Sequence, residues 1–360
     1  MKPRLLKIGV IVGVTALIIA LLAGGGYWYW GSQKSQEERA EEHYRRALTL
    51  QNEGELERAI SEYTKVLNID RTFIEAYSNR GVARMDLGKY DKAVEDFSNA
   101  ILQNPVVPYF YYNRGLAFER AGALDFALLD YLDAVDIDPT YREAFYGLGN
   151  VYLQYGDYQR AVWNFDNALR LEPENPDAYF GRAEGYFGLE RYEQAIDDYS
   201  KALQLESQLP EAYTGRGVAY IEAGQPELAI ADFENALLWR PDSVAAYYHR
   251  ARAYQRLNQL EQAITDYSVV IERDPNFVGA YHGRGMSYVQ AGLPEQALPD
   301  FEESIRIDDT YGPTFAARAI AYTLLGRDDE AEQDVDKAEE LGHDRSRIEA
   351  DIAHIKDQRQ

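Results

Sequence analysis

The sequence predicts an all-α fold, a solenoid of nine helix–turn–helix repeats, on three observations. Alanine returns every 34 residues, at Ala59, Ala93, Ala127, Ala161, Ala195, Ala229, Ala263, Ala297 and Ala331, without insertion or deletion. Twelve residues before each stands a second small residue, Ala47, Gly81, Gly115, Gly149, Ala183, Gly217, Ala251, Gly285 or Ala319, so two helices can approach closely at both points. Four residues after it comes a ring, Tyr63, Phe97, Tyr131, Phe165, Tyr199, Phe233, Tyr267 or Phe301, with Val335 closing the series. A fixed period of this length marks a stack in which each copy buries a face against its neighbours.

The chain opens on a basic tail, residues 1–7, with Lys2, Arg4 and Lys7. Residues 8–30 then carry no charge for 23 residues, enough to cross a hydrocarbon core of about 30 Å as a helix. The closing Tyr27-Trp28-Tyr29-Trp30 supplies rings suited to a membrane interface. A single transmembrane helix is therefore expected. The alternative is a cleaved signal peptide with its small-residue site at Ala23-Gly24-Gly25, although an apolar run from Ile8 to Ala23 exceeds the roughly 7–15 residues usual there. Bases on the two sides of the span tie, Lys2, Arg4 and Lys7 against Lys34, Arg39 and Arg45. The crowding of the first three into a short tail favours a cytoplasmic N-terminus with the repeats on the extracytoplasmic side.

Residues 31–39 form a linker reaching at most about 30 Å, in which Ser35-Gln36-Glu37-Glu38 reads as a helix-starting capping box. The repeats occupy 40–345. In the second, Tyr77, Gly81 and Arg84, then Ala93, Phe97 and Ala100, fall at helical spacing, broken by Leu87-Gly88-Lys89. Pro226 and Pro294 fit a first turn, where a missing N–H costs nothing, but Pro299 lies a turn further in and predicts a kink or a late helix start. Residues 346–360 read as a capping helix, with Ile348, Ile352 and Ile355 on one stripe.

A second ring series opens the repeats at Tyr77, Tyr111, Phe145, Tyr179, Tyr213, Tyr247, Tyr281 and Phe315, and Pro105, Pro139, Pro173, Pro241 and Pro275 close five of them. With the alanine beat, this pattern resembles the tetratricopeptide repeat. The resemblance implies a right-handed superhelix whose first helices line a concave, protein-binding surface. By that analogy the groove holds Tyr44, Tyr112, Tyr146, Phe180, Phe187 and Tyr248, with Glu143 and Asp177 on a rim and Arg252 and Arg256, beside His249 and His282, changing its character in the seventh and eighth repeats. Rings among carboxylates suit a peptide with apolar and basic side chains. Family members that clamp acidic chaperone tails use lysines where this chain has Tyr44, Ser78 and Tyr112, so that activity is not implied.

Two further regularities run through the repeats. In eight repeats an arginine (Arg46, Arg80, Arg114, Arg182, Arg216, Arg250, Arg284, Arg318) precedes an acid by sixteen residues (Glu62, Asp96, Asp130, Asp198, Asp232, Asp266, Asp300, Asp334). The fourth repeat has Leu148 and Asn164 instead, and loss of both partners together predicts that they touch elsewhere as a partly buried pair. Phe126, Leu129, Leu132 and Trp163 replace polar residues on second helices and predict an apolar patch on the convex side.

Composition excludes some classes of function. Sixty acids against 37 bases, net −23, lack the basic stripe that nucleic acid needs. There is no cysteine, hence no disulfide, thiol nucleophile or thiolate-held metal. The five histidines form no HExxH and there is no phosphate loop or nucleophile elbow, so neither an enzyme nor a cofactor is expected. The sequence predicts a membrane-anchored scaffold that binds a peptide segment or subunit to assemble or tether a membrane or envelope complex. A periplasmic or secreted adaptor and a self-associating homo-oligomer are the alternatives.

Overall fold

The computed structural model describes residues 36–359, and among these it is all helical, with nineteen helices and no strand. They fall into two compact units divided between Tyr155 and Gly156. In the first unit, α1 (36–52), α2 (Leu56–Ile69), α3 (Ile74–Asp86), α4 (Tyr90–Gln103), α5 (Pro108–Arg120), α6 (Leu124–Ile137) and α7 (Arg142–Gln154) follow one another as a stack. The second unit begins with α8 (Tyr158–Leu171), α9 (Pro176–Gly188), α10 (Tyr192–Leu205), α11 (Pro210–Glu222), α12 (Pro226–Trp239) and α13 (Val244–Arg256). It continues with α14 (Leu260–Arg273), α15 (Val278–Gln290), α16 (Pro294–Ile307), α17 (Gly312–Leu324), α18 (Asp328–Glu340) and α19 (Arg345–Arg359). From Leu56 onward, second helices start every 34 residues, and from Ile74 so do first helices.

A left-handed residue ends each first helix: Gly54, Gly88, Gly122, Gly156, Gly224, Gly292 and Gly326 all have positive φ. Glycine adopts this conformation without steric cost and so closes a helix cleanly. The same place in the fifth and seventh repeats is taken by Glu190, φ 59°, and Asn258, φ 57°. Asparagine tolerates that region, whereas glutamate holds it only because the flanking helices fix the turn.

The core is the predicted ring series. Tyr63, Phe97, Tyr131, Phe165, Tyr199, Phe233, Tyr267 and Phe301 are fully buried. A Cβ on Gly81 would stand 2.9 Å from the Phe97 ring, and one on Gly115 2.9 Å from Tyr131, so the small residue is what lets each ring lie against the facing helix. The alternation of Tyr and Phe has a chemical cause. Each buried phenol finds a polar partner on the first helix of its repeat: Tyr63 donates to Gln51 at 2.7 Å, Tyr131 to Glu119 at 2.6 Å, Tyr199 to Glu184 and Tyr267 to Gln255 at 3.2 Å. Where the ring is Phe, an apolar residue packs in that region instead, Met85 by Phe97, Ile221 by Phe233 and Val289 by Phe301. A buried hydroxyl without a partner would cost a few kcal/mol, so the two positions change together.

Arginines tie the stack. Seven of the eight expected pairs form, at 2.6–2.7 Å: Arg80–Asp96, Arg114–Asp130, Arg182–Asp198, Arg216–Asp232, Arg250–Asp266, Arg284–Asp300 and Arg318–Asp334. In five of them Nη1 also reaches back to the preceding second helix, to Thr64, Ser98, Asp166, Ser200 or Ser268, so one guanidinium joins three helices. The eighth expected pair does not form. Arg46 is exposed, because no earlier repeat covers α1, and Glu62 is held instead by His43 and Lys65, each at 2.6 Å. In the divergent fourth repeat Leu148 and Asn164 are both buried, and the Asn164 amide donates to the Arg160 carbonyl at 2.9 Å.

Two further expectations meet the structure here. The late start at Pro299 is corrected: α16 begins in register at Pro294 and stays helical through Pro299. The proline ring faces solvent, so the one carbonyl that loses its intrahelical partner can be hydrated. Residues 8–30, read as a membrane span, lie outside the described residues, and no helix among the described residues is long and apolar enough to cross a membrane. At the other end, α19 buries Ile348 and Ile352 against Phe315, Ala319 and Val335.

Candidate functional site

The ring positions expected to line the groove are half-buried, and they double as packing residues. In the first unit Tyr44 lies 4.8 Å from the Phe73 ring and 5.9 Å from Tyr63, its hydroxyl accepting from Asn79 at 2.9 Å. Tyr112 stands 5.7 Å from both Tyr131 and Tyr141, and burial pushes its phenol up to about 12. Tyr146 is half-buried on α7, and Glu143 pairs with Arg142 at 3.2 Å. In the second unit Phe180 packs 5.8 Å from Tyr199, Phe187 lies 5.6 Å from Tyr192, and Asp177 is exposed. Tyr248 touches Tyr267 at 5.9 Å and Phe277 at 4.8 Å. Tyr44, Tyr112, Phe180 and Tyr248 form the outer layer of the core, because each stands one turn before the small residue of its first helix and so leans over the ring that fills that gap.

The seventh to ninth repeats, all in the second unit, hold two neighbouring concavities on the face of the first helices. One, about 380 Å³, lies between α13 and α15 and is lined by Tyr248, Arg252, Gln255, Arg256, Tyr267, Gly279, His282, Gly283, Met286 and Gln290. The other, about 340 Å³, is walled by α15, α17 and α19 and shares His282 and Met286 with the first. Gly279 and Gly283 let the floor pack closely: a Cβ on the former would sit 3.0 Å from the Tyr248 hydroxyl and one on the latter would overlap the Tyr267 ring, so these rings fill the space beside the glycines. The sequence singled out Tyr248, Arg252, Arg256 and His282 here but missed Met286, Gln255, Gln290 and the glycine floor. The signal for the glycines' close packing was present, since Gly279 and Gly283 lie four apart on one first helix.

Charge in this site is fixed from behind. Arg252 and Arg256 both hold Glu222, at 3.2 and 3.3 Å, and Arg256 also donates to the Ile221 carbonyl at 2.7 Å. Two cations share one carboxylate, which leaves a local excess of positive charge in an acidic protein. His282 is pushed down to about 4 by burial, its Nδ1 lying 3.3 Å from the Thr314 hydroxyl. His249 is held near 4 as well, by burial and by Arg252, whose Nη1 lies 3.4 Å away. Both rings are therefore neutral at pH 7, and what the site offers is two guanidiniums over a neutral aromatic and thioether floor.

On the second helices, Phe126, Leu129 and Leu132 of α6 are 59, 59 and 40 % exposed, and Trp163 of α8, in the other unit, is 59 % exposed. Each is thus an outward apolar group within its own unit. Among the described residues no group of three His, Asp or Glu side chains is placed to hold a metal ion.

Family models described as tetratricopeptide repeat match residues 40–73, 79–142, 146–210, 220–283 and 278–311. Solved structures agree at the level of fold. A tetratricopeptide repeat protein from Parabacteroides merdae aligns at 22% identity and TM-score 0.55 over 69% of this chain and 98% of its own. The Pseudomonas aeruginosa protein PilF gives 19% and 0.54 over 61% and 99%. A chain of the APC/C hetero-tetramer Cut9–Hcn1 gives 18% and 0.55 over 81% and 58%. No curated protein matches significantly.

Proposed function

The chain belongs to the tetratricopeptide repeat family, and from that premise we propose that it is a membrane-anchored scaffold whose first-helix face holds a segment of a partner protein. Repeats of this family mediate protein–protein interaction, and a stack with an extended face and no catalytic constellation is suited to that task. The observation that carries the reading is the pair of adjoining concavities in the seventh to ninth repeats, where Arg252 and Arg256 stand above a floor in which the Tyr248 and Tyr267 rings pack on Gly279 and Gly283. A partner side chain seated there meets apolar atoms below and fixed donors beside it, the composition of an interface hot spot. Tyr112, Tyr146 and Glu143 in the first unit, and Phe180, Phe187 and Asp177 in the second, are proposed as further contacts along first helices.

Replacing Arg252 and Met286 together by alanine should weaken partner binding by at least about 2 kcal/mol, roughly thirtyfold. Neither residue belongs to the fully buried core, so circular dichroism should be unchanged. The measurement is recovery of partner on the immobilised full-length chain. Recovery that survives this change but is lost with Leu129→Glu would move the interface to the second helices.

Residues 8–30 are proposed to anchor the chain, with the N-terminus cytoplasmic and the repeats extracytoplasmic, to assemble or tether a membrane complex. The protein should sediment with membranes, resist high-salt extraction and keep its first residues. An intact mass corresponding to a mature N-terminus near Gly26 would instead establish the cleaved, soluble form.

A further inference from the structure

The outer face of α6 differs in kind from the other second helices of its unit, and we infer that it docks a basic amphipathic helix of a partner protein, separate from the first-helix face. Phe126, Leu129 and Leu132 stand on one side of α6 and are all exposed. The same three positions hold Arg58, Ser61 and Thr64 in the first repeat and Lys92, Glu95 and Ser98 in the second, so the face is polar elsewhere in the unit. Packing explains only Leu132: its counterparts Thr64 and Ser98 accept from the next repeat's arginine, and that arginine is here Leu148. Nothing in the stack calls for Leu129 to be apolar, and Phe126 leaves more than half of its surface exposed although Phe118 supports one side of its ring. The Phe126 ring is already fixed, stacked 5.2 Å from Phe118, so little freedom is lost when a partner covers it.

Charge selects the occupant. Asp125, Asp133 and Asp136 are exposed along the same face, Asp130 is turned inward onto Arg114, and α6 contains no base. A second copy of this chain would set its own carboxylates against these, on a background of net −23, and an anionic membrane would be repelled in the same way. A helix with Leu-like side chains flanked by Lys or Arg satisfies both the apolar centre and the acidic rim.

The test uses the full-length chain in zwitterionic lipid nanodiscs and a synthetic amphipathic helix of Leu and Lys, with its Leu and Glu counterpart as reference. The Leu/Lys helix should bind at least tenfold tighter than the Leu/Glu helix. Phe126→Ser with Leu129→Ser should weaken its binding at least tenfold. Asp133→Asn with Asp136→Asn should weaken it about threefold and flatten its salt dependence. Asp309→Asn with Asp329→Asn, which removes equal charge elsewhere, should leave it unchanged. An unaltered affinity in either α6 pair, or an equal loss in the remote pair, overturns the inference. So does a dimer in sedimentation that Leu129→Ser dissociates, which would make the occupant a second copy. Because the chain has no cysteine, a dye on Leu129→Cys reports the remaining case: a blue shift in anionic nanodiscs without peptide would mean that the face lies on lipid.

Discussion

Asp232→Ala is expected to destabilise the second unit by about 3–5 kcal/mol, the cost of leaving a largely buried guanidinium without its counter-charge. Arg216 gives two hydrogen bonds to Asp232, 2.7 and 2.8 Å, and its remaining arm reaches only the neutral Ser200 hydroxyl at 2.9 Å. Asp198→Ala should cost less, because Arg182 keeps Asp166 at 2.6 Å on its third arm. The fourth repeat and the helix before it supply the compensating design, since Leu132, Leu148 and Asn164 stand where Ser200, Arg216 and Asp232 stand two repeats later. Arg216→Leu with Asp232→Asn should therefore recover much of the loss, and adding Ser200→Leu should recover more, because an apolar neighbour replaces a hydroxyl that has lost its donor. Urea unfolding of these four variants, and of Arg216→Leu and Asp232→Asn singly, measures this. Strictly additive losses from Arg216→Leu and Asp232→Asn would mean that the two side chains do not act as a pair.

That triplet also marks how far the sequence could be read. The period, the rings and the sixteen-residue coupling were legible because a buried contact forces two positions to vary together. The coupling was visible in Leu148 and Asn164, but the third partner at Leu132 was not, since Thr, Ser, Asp and Glu all occupy its place and the class looks like ordinary surface. Arg46 misled for a related reason: the rule describes an arginine inside the stack, and α1 has no repeat before it. Pro299 misled because a proline's cost depends on which carbonyl it orphans and whether water can reach it. For the site, the sequence located Tyr248, Arg252, Arg256 and His282 on first helices. It did not reveal that Tyr112, Phe180 and Tyr248 also pack on the core, because leaning over a neighbouring ring is decided by helix spacing and not by residue type. The concavity beside Gly279 and Gly283 was not legible either, since glycines one turn apart mark close packing, here with the Tyr248 and Tyr267 rings, and not the open space next to it.

Acidification from pH 7 to pH 5 is expected to cost about 1–2 kcal/mol for each of His249 and His282. Both have folded values near 4, below the ordinary 6.5. The unfolded chain therefore takes up protons as pH falls through 6.5 while the folded chain does not, and stability declines until about pH 4, where the folded rings protonate too. The full linkage over this interval is about 2 kcal/mol per ring, reduced because both rings are only half-buried. Glu119 and Glu184 oppose this trend, since burial raises both carboxyls and a folded group with a raised value gains protons, and stability, on acidification. The raw pH curve thus mixes two signs, and the histidine share is the difference between wild type and the variants His249→Gln and His282→Gln. Each variant should flatten the curve between pH 6.5 and 5 and leave it parallel to wild type above pH 7. Arg252→Ala should flatten it in part, because it removes the cation that helps to depress His249. Parallel curves for wild type and both histidine variants across pH 5–7 would show that neither ring is held neutral, and the floor beneath Arg252 and Arg256 would then carry charge at pH 6 instead of the neutral rings that a seated apolar side chain requires.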